Sequence, residues 1–341
     1  MSIQNKKKLA VLLPTYNAAS YLKESIDSVL NQTFTDFDLY IYDDYSQDNT
    51  AELIGCYHDS RIFYIKNEKN IGVTKTLNKG LDYLLPHYEY VARMDADDWC
   101  YPERFEKQLQ VLDKNEEVFL CGTQGYWLKD LNLSPNEGWS YPVSAEYIKY
   151  YLLFGATFGH SSVVLRSAAF IENELRYDET KVNCQDWELW SRVSKIGVMV
   201  NLADFLMKYR IVGNSNHRSP EKQQIHFENR SKIIASYWAV FGITFSEVEI
   251  YNLYYACETV SNQDFRTNVD KMIAAFNLVF EESKAELSVT DQKNFSYLLA
   301  RKVLSYWKRS GVSRNDFVVW FFILRQVQFM NKMRLLKSII R

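Results

Sequence analysis

The first 125 residues alternate short apolar runs with segments of helical spacing, and no other feature restricts the fold as much. Strands are expected at 9–13, 38–42, 62–65, 89–94 and 118–121, with helices between them at 19–31, 48–57, 72–85 and 102–113. In the first helix Tyr21, Leu22, Ile26, Val29 and Leu30 recur at the spacing of one face. In the third, Val73, Leu77, Leu81, Leu84 and Leu85 do the same. Repeated β-α units of this length predict a mostly parallel sheet with helices on both faces. Ligands bind such sheets at the carboxyl ends of the strands.

Acids gather at those ends. Asp95-Ala96-Asp97-Asp98 follows the apolar run 90–94, and Asp43-Asp44 follows 38–42. Three carboxylates within four residues repel one another and are costly to desolvate. A divalent cation relieves that cost, and hard oxygen ligands suit Mg²⁺ or Mn²⁺. A solvated acidic turn capping the next helix is the other reading. Arg93 shares a strand face with Asp95 and Asp97, where it can neutralise them or pair with a phosphate.

The remaining motifs each carry two readings. Pro14-Thr15-Tyr16-Asn17 stops the first strand, or forms a loop whose backbone and Tyr16 ring receive a flat base. Asp48 or Ser46 can cap the second helix, but capping leaves the adjacent acids Asp43 and Asp44 unexplained; one carboxylate there can accept the imide N–H of uracil. Asn70-Ile71-Gly72 is a turn and cap, or a contact to ribose or diphosphate. Asp186 opens a helix at 186–196, either as a first-turn acid or as a general base beside an aromatic wall that includes Trp187. His160 and His217 are structural histidines, or contacts to acceptor, diphosphate or metal.

The composition is that of a folded protein, 47% hydrophobic and 24% charged. Five scattered cysteines form no CxxC pair, so reduced thiols and a cytoplasmic setting are expected. The N-terminal apolar run is short and soon meets Pro14, which reads against a signal peptide. No stretch approaches the ~20 apolar residues of a membrane span. Residues 301–341 carry ten Lys or Arg and one acid, against 30 basic and 41 acidic side chains in the other 300 residues. The apolar run 317–324 and the interleaved cations after it suit a membrane interface and anionic lipid. A core helix or a contact with a second copy of the chain is the other reading. The acidic body opposes nucleic-acid binding. A mixed region at 126–212, with strands at 161–165 and 205–209, precedes a helical region from about 220.

Together these pieces resemble glycosyltransferase family 2, which has the GT-A fold. The resemblance rests on Val11-Leu12-Leu13-Pro14-Thr15-Tyr16-Asn17, Ser28-Val29-Leu30-Asn31-Gln32-Thr33-Phe34, the segment Asp43 to Thr50, Asn70-Ile71-Gly72, Asp95-Ala96-Asp97-Asp98 and Gln185-Asp186-Trp187-Glu188-Leu189-Trp190, in the family's order. It implies a GT-A catalytic domain at 1–215, divided into a nucleotide-binding half (1–125) and an acceptor half (126–215), with a helical region at 216–341. It implies a nucleotide-sugar donor, with uracil expected over guanine, and inversion at the anomeric carbon. Pro14, Thr15, Tyr16, Asn17, Asp44, Asn70, Gly72, Arg93, Asp95 and Ala96 would bind the donor. Asp97 and Asp95 would hold Mn²⁺ or Mg²⁺, and Asp186 would be the base. His160, Trp187 and His217 would meet acceptor or diphosphate. A saccharide acceptor carried on a lipid would place the enzyme peripherally on the inner membrane face, in surface-polysaccharide assembly. The family often has Glu before the base, and this chain has Gln185.

Two rivals compete. A metal-dependent nucleotidyltransferase would need a Gly-rich triphosphate loop, and no GxxxxGK[ST] segment is present. A non-catalytic scaffold of the same fold is opposed by retention of Asp97 and Asp186.

Overall fold

The strands β1 (Lys7–Thr15), β2 (Phe37–Asp43), β3 (Ile62–Lys66) and β4 (Tyr88–Arg93) run parallel in the order β3-β2-β1-β4. The computed structural model describes residues 7–129, 132–181, 183–211, 220–254 and 262–309. Every residue of β2 is buried, and Leu9 to Leu13 of β1 are enclosed on both faces. That is why these strands read as unbroken apolar runs rather than alternating ones. The register aligns Thr15 with Asp43 and Leu12 with Arg93, so the three strands end at one edge.

Helices α1 (Leu22–Leu30), α2 (Thr50–Gly55), α3 (Val73–Leu84) and α4 (Arg104–Lys114) separate these strands and the next. α1 buries Leu22, Ser25, Ile26, Ser28 and Val29, and α3 buries Thr76, Leu77, Gly80, Leu81 and Leu84, both at helical spacing. Gly80 lets α3 approach β1 closely, since a Cβ there would lie 2.4 Å from Leu12 Cδ1.

Beyond Asp98 the sheet changes direction. It continues through β8 (Val164–Arg166), β6 (Val118–Lys129), β9 (Val198–Ile211) and β5 (Trp99–Cys100). β4–β8, β8–β6 and β9–β5 are antiparallel, whereas β6–β9 is parallel; β7 (Asn132–Trp139) pairs antiparallel with β6. β6 runs well past the expected 118–121, because Gly122, Gln124 and Gly125 break its apolar pattern and its register on β9 shifts there, yet the pairing continues to Lys129. The expected strand at 161–165 is instead a 3₁₀ turn, His160–Ser162, followed by β8. Ser162 Oγ donates to Gly159 O at 2.7 Å, a local bond that favours a turn over a ladder. α5 (Ala145–Tyr151), α6 (Ser167–Glu172) and α7 (Gln185–Val193) complete this part.

The chain divides into two compact units, Met1–Ile148 with Ala156–Ser219, and Lys149–Gly155 with Pro220–Arg341. The second unit contains α8 (Pro220–Trp238), α9 (Glu247–Tyr254), α10 (Asn262–Ser283) and α11 (Val289–Arg309). Its core is aromatic: Trp238 stacks on Phe276 at 5.8 Å, and Phe154 meets Phe276 edge-on at 5.6 Å. Among the described residues no helix is long and apolar enough to cross a membrane. The basic segment from 310 onward, including 317–324, lies outside the described residues.

Candidate active site

The carboxyl ends of β1, β2 and β4 open onto one crevice. It is lined by Pro14, Thr15 and Tyr16 after β1, by Asp44 after β2, and by Asp95 after β4. Asn70, Gly72, Val73 and Thr76, from the loop before α3 and its first turn, form the opposite wall. Seven of the expected donor residues therefore share one cavity, because parallel strands deliver their ends to a common edge. Tyr16 is half exposed there.

The segment 43–50 frames the loop after β1. Asp44 N donates to Thr15 O at 2.8 Å. Asn17 N, Ala18 N and Ala19 N donate in turn to Ser46 Oγ (2.9 Å), Thr50 Oγ1 (3.1 Å) and Asp48 Oδ2 (3.1 Å). Asn17 Oδ1 accepts Gln47 N at 2.8 Å, so this expected donor residue braces the loop and does not line the crevice. Asp48 also accepts Thr50 N at 3.1 Å, at the start of α2.

The adjacent acids part company. Asp43 is fully buried and accepts Ser46 N (2.8 Å) and Tyr64 Oη–H (2.6 Å). Asp44 faces the crevice and holds the opposite wall. Its Oδ1 accepts Asn67 Nδ2 (3.0 Å) and Ile71 N (2.9 Å), and its Oδ2 accepts Gly72 N (2.8 Å). Asn67 is braced by Thr76 Oγ1 (3.1 Å) and by Lys79 Nζ (2.8 Å).

Asp95, Asp97 and Asp98 bring carboxylate oxygens within 4.8 Å of one another. Burial pushes the Asp97 carboxyl up, and the charge of Asp95 adds to it, to about 6. Asp98 is raised well above the carboxylate range by burial and by the charges of Asp95 and Asp97. Burial would raise Asp95 too, but its ion pair with Arg93 outweighs that and holds it low. Hard oxygen donors with uncompensated repulsion fit a divalent cation, which such a trio would hold through Asp97 and Asp95.

Residues without any periodic signal hold this turn. Ser161 Oγ lies against Arg93, Asp95 and Asp98. Arg210 N donates to Asp98 Oδ1 and Arg210 Nε to Asp97 O, both at 3.0 Å. Ser25 Oγ donates to Asp95 O at 2.8 Å, and the fully buried Arg104 donates through Nη2 to Arg93 O at 2.9 Å. Ala96 is buried within the turn.

Asp186 is half-buried in the first turn of α7. Burial raises the Tyr177 phenol, Arg93 opposes, and Asp186 and Asp95 both push it further up, so one ring feels both acids. Tyr177 Oη lies 2.8 Å from His160 Nε2. Burial, then Arg93, lowers the His160 imidazole well below its usual value against the pull of Asp95, so the ring is neutral near pH 7. Asn78 of α3 clamps Tyr177, donating to its carbonyl (2.9 Å) and accepting its N–H (3.0 Å). Trp187 is enclosed, 2% exposed, and Trp190 packs against Phe158 at 5.9 Å. Gln185 Oε1 is buried without a hydrogen-bond partner. His217 lies outside the described residues.

The family model described as Glycosyl transferase family 2 matches residues 10–173. An uncharacterized glycosyltransferase of Methanocaldococcus jannaschii is 30% identical over 253 residues, covering 70% of this chain and 86% of the relative. Among solved structures, S. aureus TarS 1–349 in complex with UDP-GlcNAc matches with TM-score 0.54 and 18% identity, covering 89% of this chain and 90% of that one. The mannosyltransferase PcManGT from Pyrobaculum calidifontis, in complex with GDP-Man and Mn²⁺, matches with TM-score 0.52 and 13% identity over 95% and 86% of the two chains. At these identities the structural likeness is one of fold, the GT-A fold.

Proposed function

This chain belongs to glycosyltransferase family 2, and from that premise we propose that it transfers a sugar from a UDP-sugar to a saccharide hydroxyl, with inversion. The observation carrying this reading is the crevice that collects Pro14, Tyr16, Asp44, Asn70, Gly72 and Asp95 at the strand ends. Solved structures of similar fold bind UDP-GlcNAc or GDP-Man, which supports a nucleotide-sugar donor.

Hydrogen-bond accounting at Asp44 supports uracil over guanine. A carboxylate offers about four acceptor positions. Three are taken by Asn67, Ile71 and Gly72. The one left suits the single imide N–H of uracil, whereas guanine presents two adjacent donors.

The Asp97 and Asp95 carboxylates would hold Mn²⁺ or Mg²⁺, which when bound supplies Lewis-acid neutralisation of the leaving diphosphate. Arg93 keeps Asp95 ionised for that work. Asp186 accepts the proton of the attacking acceptor hydroxyl on its carboxylate, as the hydroxyl oxygen approaches the anomeric carbon from the face opposite the diphosphate. Single displacement of this kind inverts configuration and needs no covalent enzyme intermediate. The division into a catalytic domain at 1–215 and a helical region at 216–341 belongs to the same proposal. So does a lipid-linked acceptor in surface-polysaccharide assembly on the inner membrane face, supported by the ten cations against one acid in 301–341.

A thermal-shift panel of nucleotide sugars, with and without Mn²⁺, tests the donor reading. UDP-sugars with Mn²⁺ should raise Tm the most, by ligand linkage. A panel in which no nucleotide sugar raises Tm would overturn it.

A further inference from the structure

Ser161 Oγ sits at a crowded point. It is buried, on the 3₁₀ turn His160–Ser162, and four polar groups converge on it. Arg93 Nη1 donates to it at 2.7 Å and Asp95 N at 3.2 Å. Asp95 Oδ2 lies 2.8 Å away, and Asp98 Oδ2 is also in hydrogen-bond contact. A hydroxyl accepts two hydrogen bonds and donates one. Arg93 and the Asp95 amide fill both accepting positions. The Ser161 hydroxyl therefore has one hydrogen for the two carboxyl oxygens that face it, and only one of them can receive it.

The two carboxylates are not equivalent. Asp98 is 1% exposed and also held by Arg210 N at 3.0 Å. Asp95 lines the crevice, and its side chain is 25% exposed. The hydroxyl thus stands between a carboxylate locked inside and one open to the ligand.

We propose that Ser161 is the positioning residue of the cation site, fixing the separation of the Asp95 and Asp98 carboxylates so that one is retained by its hydroxyl and the other is presented to a divalent cation. The inference rests on the cation reading of Asp95 and Asp97 given above. Residues that orient metal ligands without touching the metal typically change metal affinity or activity by roughly 10–100-fold when removed.

Titration of the full-length protein with Mn²⁺, followed by electron paramagnetic resonance in the presence of UDP, tests it. Ser161→Ala should raise the Mn²⁺ Kd by roughly 10-fold or more. Its turnover should recover at raised Mn²⁺. Should the alanine variant not fold, Ser161→Thr and Ser161→Val share one shape and differ in the hydroxyl alone; threonine should bind Mn²⁺ roughly 10-fold tighter than valine. A purely structural serine would lower Tm and leave the Kd of the folded fraction unchanged. Wild-type Kd in Ser161→Ala, or equal Kd in the threonine and valine variants, overturns the proposal. Asp97→Ala run in parallel separates the two failures: if it too binds Mn²⁺ at wild-type Kd, the cation reading itself has failed.

Discussion

The Asp44 carboxylate accepts the Gly72 backbone N–H at 2.8 Å, joining the end of β2 to the start of α3 across the crevice. The same side chain that would meet the base therefore also holds the wall beside it. Asp44→Asn replaces one acceptor oxygen with a donor and turns it against an N–H. UDP affinity measured by calorimetry should fall by roughly 10–100-fold, the cost of an unmade buried hydrogen bond. GDP should bind wild-type protein more weakly than UDP; equal affinity would undo the accounting at Asp44.

Gly72 has φ +90° and ψ 151°, a conformation that is essentially reserved for glycine. No atom lies within 4 Å of a Cβ built there, so Gly72→Ala meets backbone strain rather than a clash. The strain is about 1–3 kcal/mol. Tm should drop, and UDP affinity should drop with it as the amide shifts away from Asp44. Wild-type values for both would show that the wall does not depend on this backbone.

Asp97→Ala and Asp186→Asn should each lower turnover by about 10² or more, but in different ways. Asp97→Ala should lose the Mn²⁺ dependence of UDP binding. Asp186→Asn should bind UDP and Mn²⁺ normally and fail only in transfer. Near-wild-type turnover in Asp186→Asn would remove that residue from the base role.

In the helical unit, Lys302 is lowered to about 8 by burial and by the charges of Arg230, Arg309 and Arg301. Its Nζ donates to Phe154 O at 3.4 Å. A lysine whose folded pKa lies below its unfolded value opposes folding while it is charged. The cost is present below pH about 8 and is relieved as pH rises toward the unfolded value near 10.4. Lys302→Met carries no such cost. The Tm difference between Lys302→Met and wild type should therefore shrink as pH rises through this window; a constant difference would contradict it.

Deleting residues 315–341 should move the protein from anionic vesicles to the supernatant in co-sedimentation, since the removed segment carries the apolar run 317–324 and the five cations interleaved after it. Unchanged sedimentation would assign that segment another role.

Much of the sheet-containing unit could be read from the residue pattern alone. The four parallel strands and the acids at their ends follow from local signals: unbroken apolar runs, helical spacing, and carboxylates just past each run. Such signals survive in one dimension because the inner parallel strands bury both faces and parallel strands present their carboxyl ends to one edge. Asp43 and Asp44 mark where that reading stops. They are identical neighbours, and chain position cannot say which faces the crevice. Tyr64 and Ser46 take one, while Asn67, Ile71 and Gly72 take the other. Ser161, Tyr177 and Arg210 were silent in the sequence for the same reason. Ser161 and Arg210 reach Asp98 from 63 and 112 positions away. A lone hydroxyl or guanidinium has no period, and its role exists only once distant stretches of chain meet. The sequence determined the sheet and the acids at its edge; tertiary contact decided which groups hold each acid and which way it faces.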